Sequence, residues 1–277
     1  MKLSRRMLGV ALGAVVATGM ATSSWAQSAT QELSSESVIE TIKQDGVIRI
    51  GLSLFVPWSM RDKNGDLIGF ELDVGRKLAE DMGVEVEFVP TAWDGIIPAL
   101  VSGNFDVIIS GMSVTAQRNL TINFTDPYAY SGLAILANKE LTAGMAREDL
   151  NSSDVTFAAR RGATPATVIA KAFPEANLLL FDEDGASTQE VLNGNAHATM
   201  ASQPTPNREA GRNPETLVVL EGELFDPRGE AFGMRKGDPD AMNFFNNWIA
   251  QNWRSGWLEE RHNYWFATEE WADQVAQ

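Results

Sequence analysis

The period of the apolar pattern changes repeatedly between residues 46 and 111, and few folds accommodate that. "GVIRIGLS" (46–53) is a short β-branched run and reads as a strand. In "GFELDVGRKLAEDMG" (69–83), Phe70, Val74, Leu78 and Met82 recur at four-residue spacing before Gly83. That spacing predicts an amphipathic helix with a glycine stop. "VEVEFVP" (84–90) alternates apolar and acidic residues, as a half-buried strand does. "WDGIIPALVSG" (93–103) reads as a helix with Asp94 as N-cap and Pro98 near its first turn. "FDVIISG" (105–111) reads as a buried strand running into glycine. Alternation of this kind predicts an α/β fold with mostly parallel sheet.

The alternation pauses at "DPYAYSGLAILANK" (126–139), an extended run suited to crossing between two lobes. It resumes with strand and helix signals in "DVTFAARRGATPATVIAKAFP" (154–174), then "NLLLF" (177–181), a helix ending at Gly194, and "AHATMAS" (196–202). "EAFGMRKGD" (230–238) reads as a second crossing. Asp238-Pro239 then opens a helix whose stripe is Met242, Phe245, Trp248, Ile249 and Trp253, stopped by Gly256. Two α/β halves joined by two crossings leave a cleft, and clefts at strand ends are where small ligands sit.

The N-terminus follows a different logic. "MKLSRRMLGVALGAVVATGMATSSWAQS" has Lys2, Arg5 and Arg6, an apolar run from Met7 to about Ala21, then Ser24 and Ala26 at −3 and −1 before Gln27. The run is short of the roughly 20 apolar residues a membrane span needs, so residues 1–26 are expected to be a cleaved secretory signal peptide. Its removal leaves 19 cations against 37 acids, a formal charge of −18. Nucleic acid is excluded as a partner on that balance. The chain has no cysteine, which excludes disulfides, thiolate metal sites and cysteine nucleophiles. The expected location is periplasmic.

Two stretches carry binding chemistry. In "GMSVTAQR" (111–118), Gly111 to Ser113 turn the chain after a strand, and Thr115 is placed to cap a short helix containing Arg118. A helix start offers free N–H groups, and arginine adds a planar donor fork that matches a carboxylate. Spacing alone leaves Arg118 divided between a solvated surface charge and an anion receptor. In "ARRGATPAT" (159–167), Gly162 turns the chain, Thr164 is placed as N-cap and Pro165 as first helical residue, with Arg160 and Arg161 alongside. Trp93 and Trp58 each fall at a strand-to-loop edge, which makes them candidates for ligand stacking. The C-terminal tryptophans read as packing.

Catalytic and metal patterns are weak. There are two histidines, His197 and His262, without metal-ligand spacing, and no nucleophile elbow, Walker loop or dinucleotide fingerprint. "DKNGDLIGFE" (62–71) lacks the ligand spacing of a calcium loop and reads as a hairpin turning at Asn64-Gly65. No cofactor and no metal are expected.

"GFELDVGRKLAEDMG", "WDGIIPALVSGNFDVIISGMSVTAQR" and "FTDPY" together resemble the polar amino-acid-binding proteins of ABC importers, the family-3 solute-binding proteins, over about 45–265. The resemblance implies a two-lobed clamp: lobe 1 from 27–133 and 230–277, lobe 2 from 134–229. It implies that Arg118 grips a ligand α-carboxylate, aided by Gly111–Ser113 and, from lobe 2, by Gly162 and Thr164. Trp93 falls where the family stacks an aromatic on the ligand, and Phe55 near a second such position. The expected partners are a small amino acid or related carboxylate and the permease subunits of an inner-membrane ABC importer; the protein itself is expected to be a monomer.

Two departures from the family pattern bear on the ligand. Relatives hold the α-ammonium with an aspartate after the strand corresponding to "NAHATMAS", where this chain has Ser202, and binders of basic amino acids carry an acid where this chain has Ser53. Burying an ammonium without a counter-charge is costly. The expected ligand is therefore acidic or neutral, not lysine, arginine or histidine. The competing class is an enzyme on the same scaffold, resembling periplasmic cyclohexadienyl dehydratases, which requires a carboxylate general acid in the cleft. Asp126 and Glu230 lie near the expected crossings, where hinge hydrogen bonds also account for them. A sensory domain is the third class, disfavoured because no transmembrane or kinase segment follows.

Overall fold

The computed structural model describes residues 37–183 and 185–275. The expected signal peptide lies outside the described residues. Among the described residues, eleven strands and nine α-helices follow one another in chain order: α1 (Val38–Asp45), β1 (Val47–Leu52), β2 (Met60–Arg61), β3 (Leu67–Ile68), α2 (Phe70–Met82), β4 (Glu85–Pro90), α3 (Ile96–Val101), β5 (Val107–Ile108), α4 (Ala116–Asn119) and β6 (Asn123–Asn138). Then come β7 (Thr156–Arg160), α5 (Thr164–Ala172), β8 (Asn177–Phe181), α6 (Ala186–Leu192), β9 (Ala198–Ser202), α7 (Thr205–Arg212), β10 (Leu217–Val219), β11 (Phe225–Met234), α8 (Pro239–Arg254) and α9 (Trp257–Ala267).

Nine strands form one mixed sheet in the order β4-β1-β5-β11-β6-β9-β7-β8, with β10 beside β6. The pairs β1–β4, β1–β5, β7–β8 and β7–β9 are parallel, as strands separated by helices must be. β6 and β11 run antiparallel through the middle and tie the two parallel groups together. This is the α/β clamp architecture expected from the sequence.

Two cores sit on either side of that tie. Ile48, Ile50, Val74, Leu78, Tyr128, Phe232, Phe245 and Trp248 belong to one cluster, while Leu133, Ile135, Phe157, Ile169 and Met200 belong to another. β6 passes from Tyr128 in the first to Leu133 in the second. The second crossing runs through 225–234, five residues earlier than the sequence indicates. "FDPRGE" reads poorly as a strand because of its proline and charges, but β6 supplies the partner, with bulges that absorb the irregular residues.

Local signals mostly act as expected. α2 buries Phe70, Val74 and Leu78, each contributing about 1.5–3 kcal/mol, and Gly83 closes it in the left-handed conformation with its N–H on Ala79 and Glu80. Asp238 caps α8 by accepting from Ala241. The C-terminal tryptophans pack with their N–H groups satisfied, Trp248 on Asp81 and Trp265 on Asp73. The hairpin at Asn64-Gly65 is present as β2–β3. Asp94 differs: it lies inside a 3-10 turn, Trp93–Gly95, and caps nothing with its side chain. The strand expected over 105–111 shortens to Val107–Ile108. Among the described residues no helix is long and apolar enough to cross a membrane.

One close approach in β1 is a test of the packing. A Cβ on Gly51 would lie 2.3 Å from the Phe105 ring, and Phe105 is itself buried. Gly51→Ala is expected to destabilise the protein by about 1–3 kcal/mol through overpacking, read as a lower urea midpoint. An unchanged midpoint would mean that Phe105 has room to move.

Candidate functional site

β5 delivers the chain to Gly111, whose φ is +54°. A Cβ there would lie 2.9 Å from Phe55 and 3.1 Å from Trp58, so both backbone and space require glycine. The Gly111 amide donates to Glu71 Oε1 at 2.7 Å and lies 3.0 Å from the Tyr128 hydroxyl. The Tyr128 hydroxyl donates to the same Glu71 oxygen at 2.6 Å. Glu71 is completely buried, and that burial pushes its carboxyl up to about 8. A neutral acid thus pins the start of the loop. Ser113 then bridges to Glu230 in antiparallel fashion.

Thr115 caps α4 by accepting from the Arg118 amide at 3.2 Å, as the sequence indicates. α4 is a single turn of four residues, so positive potential at this loop comes from the Arg118 guanidinium more than from a helix dipole. The guanidinium donates to Ser113 O at 2.9 Å and, across the cleft, to Gly162 O at 3.3 Å. It lies 5.3 Å from the Trp93 ring centre. Burial, and then the neighbouring Arg228, bring its pKa down to about 10, so it stays charged at neutral pH.

From the second half, β7 ends at Arg160 and Gly162 turns with φ +69°. The Gly162 carbonyl also accepts from Trp93 Nε1 at 3.2 Å. Arg160 reaches back over the cleft to Ser53 Oγ at 2.9 Å and lies 5.8 Å from the Trp93 ring centre. Its neighbour Arg161 turns outward to Asp182 at 2.7 Å and is half exposed. Thr164 is the first residue of α5 and Ala163 takes the cap position. The Thr164 hydroxyl instead points at Ser113 Oγ, 3.4 Å away.

A further arginine joins the site from β11. Arg228 donates from Nε to Ser113 Oγ at 2.6 Å and from Nη2 to Ser202 Oγ at 3.1 Å. Its side chain is only 7% exposed. Glu230, two residues on and on the same face of the strand, places Oε1 3.8 Å from Arg228 Nε. That oxygen accepts from Ser131 Oγ at 2.6 Å, and Oε2 has no partner among the described residues. Burial pushes the Glu230 carboxyl up to about 7. Sequence reading missed Arg228 because it placed the crossing five residues too late. The spacing Arg-x-Glu in a segment that crosses between lobes was the available signal.

Ser113, Arg160, Thr164, Ser202 and Arg228 border a cavity of about 290 Å³. Of the sequence candidates, Phe55, Trp93, Gly111, Ser113, Thr164 and Ser202 line it, whereas Arg118 and Gly162 lie off its wall and meet one another beside Trp93. Two candidates do not join the site. Trp58 is buried behind Phe55, stacked on it at 5.5 Å, and Arg161 faces away. Among the described residues, Arg160, Arg208 and Arg228 are the cations on the wall and Glu183 and Glu209 the carboxylates. Glu209 is engaged by Arg208 at 3.3 Å, and Glu183 is exposed. Of the acids weighed as proton donors, Asp126 is exposed and bonded through its amide to Asn246. Glu230 sits behind Ser113 and Arg228, off the cavity wall.

Comparison with known proteins places this architecture. The chain is 27% identical over 266 residues to the L-cystine-binding protein TcyJ of Escherichia coli, covering 95% of each chain. It is 25% identical over 232 residues to the cyclohexadienyl dehydratase of Pseudomonas aeruginosa, covering 83% of this chain and 86% of the other. Among solved structures, a Wolinella succinogenes protein assigned as an ABC-transporter binding component and complexed with lysine superposes with a TM-score of 0.78. Its identity is 35%, over 82% of this chain and 99% of that one. The family model for bacterial extracellular solute-binding proteins, family 3, matches residues 48–268, and the chain belongs to that family.

Proposed function

We propose that this protein is the periplasmic receptor of an ABC importer for a small amino acid or amino-acid-like carboxylate other than lysine, arginine or histidine. The lobes divide at 133/134 and 229/230, and Arg118 receives the ligand carboxylate. The observation that supports this reading is the convergence of Arg118, Arg160 and Arg228 on one cleft, with arginines bonded to the very residues, Ser53 and Ser202, that stand in place of the family's acids. A cationic side chain entering there meets like charges in a poorly solvated space, which is strongly unfavourable. The dehydratase relative raises an enzymatic alternative, and Glu230, protonated up to about 7, has the chemistry of a general acid. Its bond to Ser131, which joins the two crossing strands, favours a hinge contact over turnover.

A thermal-shift and calorimetric panel of amino acids, N-alkylated derivatives and hydroxy acids tests the reading. A true ligand at about 100 times its dissociation constant adds roughly 2.7 kcal/mol to stability. Tight binding of arginine or lysine would refute the ligand assignment, and release of product from prephenate or arogenate would refute the receptor assignment.

A further inference from the structure

We propose that the ligand carries two anionic groups, one received by Arg118 and the second by Arg228 together with Ser202. The inference rests on the carboxylate-receptor reading above and adds a second subsite to it. Arg118 and Arg228 hang on one residue: Arg118 bonds the Ser113 carbonyl and Arg228 the Ser113 hydroxyl. The positive charge of Arg228 disfavours that of Arg118.

Arg228 is nearly fully buried, and a buried guanidinium needs a compensating charge as well as acceptors. Its neutral acceptors are Ser113 Oγ, Ser202 Oγ and the Asp226 carbonyl, and its one carboxylate acceptor is Asp226 Oδ2. The carboxylates within reach compensate poorly. Asp226 is 46% exposed and 3.4 Å away, and Glu230 holds no hydrogen bond to it at 3.8 Å. An anion in the cavity supplies what those groups do not.

The two forks address different points. Arg118 bonds Gly162, just past the end of β7, and Arg228 bonds Ser202 at the end of β9. β7 and β9 are paired parallel neighbours, Ala158 opposite Thr199, so the anchors sit at the same end of two adjacent strands, whose spacing is roughly 4.8 Å. That separation suits the two carboxylates of a short diacid. The cavity, about 290 Å³, is at the small end of ligand pockets, roughly 300–1,000 Å³.

Calorimetry on the purified protein with matched probes tests this: L-glutamate against L-glutamine, L-aspartate against L-asparagine, and iminodiacetate against glycine. In at least one pair the diacid is expected to bind about tenfold or more tighter than its monoacid partner. Arg228→Gln should bring the diacid-to-monoacid affinity ratio down to near one, and Arg118→Ala should weaken both members. Equal binding of acid and amide, or an equal loss of both in Arg228→Gln, would show a single carboxylate shared by the arginines. Either result overturns the second subsite and leaves the receptor reading standing. Binding of none of the acids overturns both. Should Arg228→Gln fail to fold, the wild-type ratio within each pair still decides.

Discussion

Arg118→Ala is expected to weaken binding of the ligand by about 10²–10³-fold, because in the proposed binding mode it removes a bidentate, charge-assisted pair whose hydrogen bonds contribute about 1.5–3 kcal/mol each. The same change should move the melting temperature of the ligand-free protein by only a few degrees. Arg118 holds two backbone carbonyls and lies against Trp93, but it is also desolvated and opposed by Arg228, so losses and gains offset. Calorimetry of the variant beside its ligand-free melting curve separates the roles. A large drop in melting temperature with binding retained would make Arg118 a structural clamp and would remove the anion receptor from the site. Arg118→Lys keeps the charge without the fork and should fall between the two.

The second large effect concerns Glu71. In the unfolded chain its carboxyl ionises near the ordinary value of 4.5, whereas in the folded protein burial holds its proton up to about 8. The folded state binds more protons across that window, so this group's contribution to stability falls as pH rises from about 4.5 to about 8 and is level on either side. The loss is on the order of several kcal/mol. The titratable groups facing it are Tyr128, pushed well above the usual phenol value by its own burial and by Glu71, and Glu230. Glu230 adds a share of the same sign through its own raised pKa.

Glu71→Gln keeps the volume and the oxygen that accepts from Gly111 and Tyr128, and it removes the ionisation. Urea midpoints at pH 5 and pH 8 should therefore differ less for the variant than for the parent, with the variant the more stable at pH 8. Parallel pH profiles for the two proteins would mean that Glu71 is ionised in the folded state. Because Glu71 fixes the loop that carries Ser113, a parent whose binding weakens above about pH 8 and a variant whose binding does not would tie this acid to the site.

Glu71 was partly legible. It stands three residues before Val74 and seven before Leu78, on the face of α2 that the core receives, and an acid on a buried face is a reason to look for its partners. Those partners, Gly111 and Tyr128, lie 40 and 57 residues away in the chain, and no local pattern names them. The arginine pair at the end of β7 shows a related limit. Arg160 and Arg161 are adjacent, and adjacent residues at a strand end point to opposite sides: Arg160 reaches Ser53 across the cleft with its Nε on the Asp182 carbonyl, and Arg161 takes the Asp182 carboxylate outside. Which does which depends on where the strand ends to within one residue.

The sequence by itself determined the alternation of strands and helices, the glycine stop after α2, the caps at Thr115 and Asp238, and the placing of Arg118 beside a turn that only glycine can make. Each of these is a local matter, fixed by side-chain periodicity and by backbone geometry within one turn or one strand. The tertiary structure decided the charge of the cleft. It brought Arg228 from β11 to Ser113, 115 residues away, turned Arg160 inward, and buried Glu230 beside them. Desolvation and charge pairing act through space, so the sign of a cleft and the protonation of its acids exist only once distant segments share it.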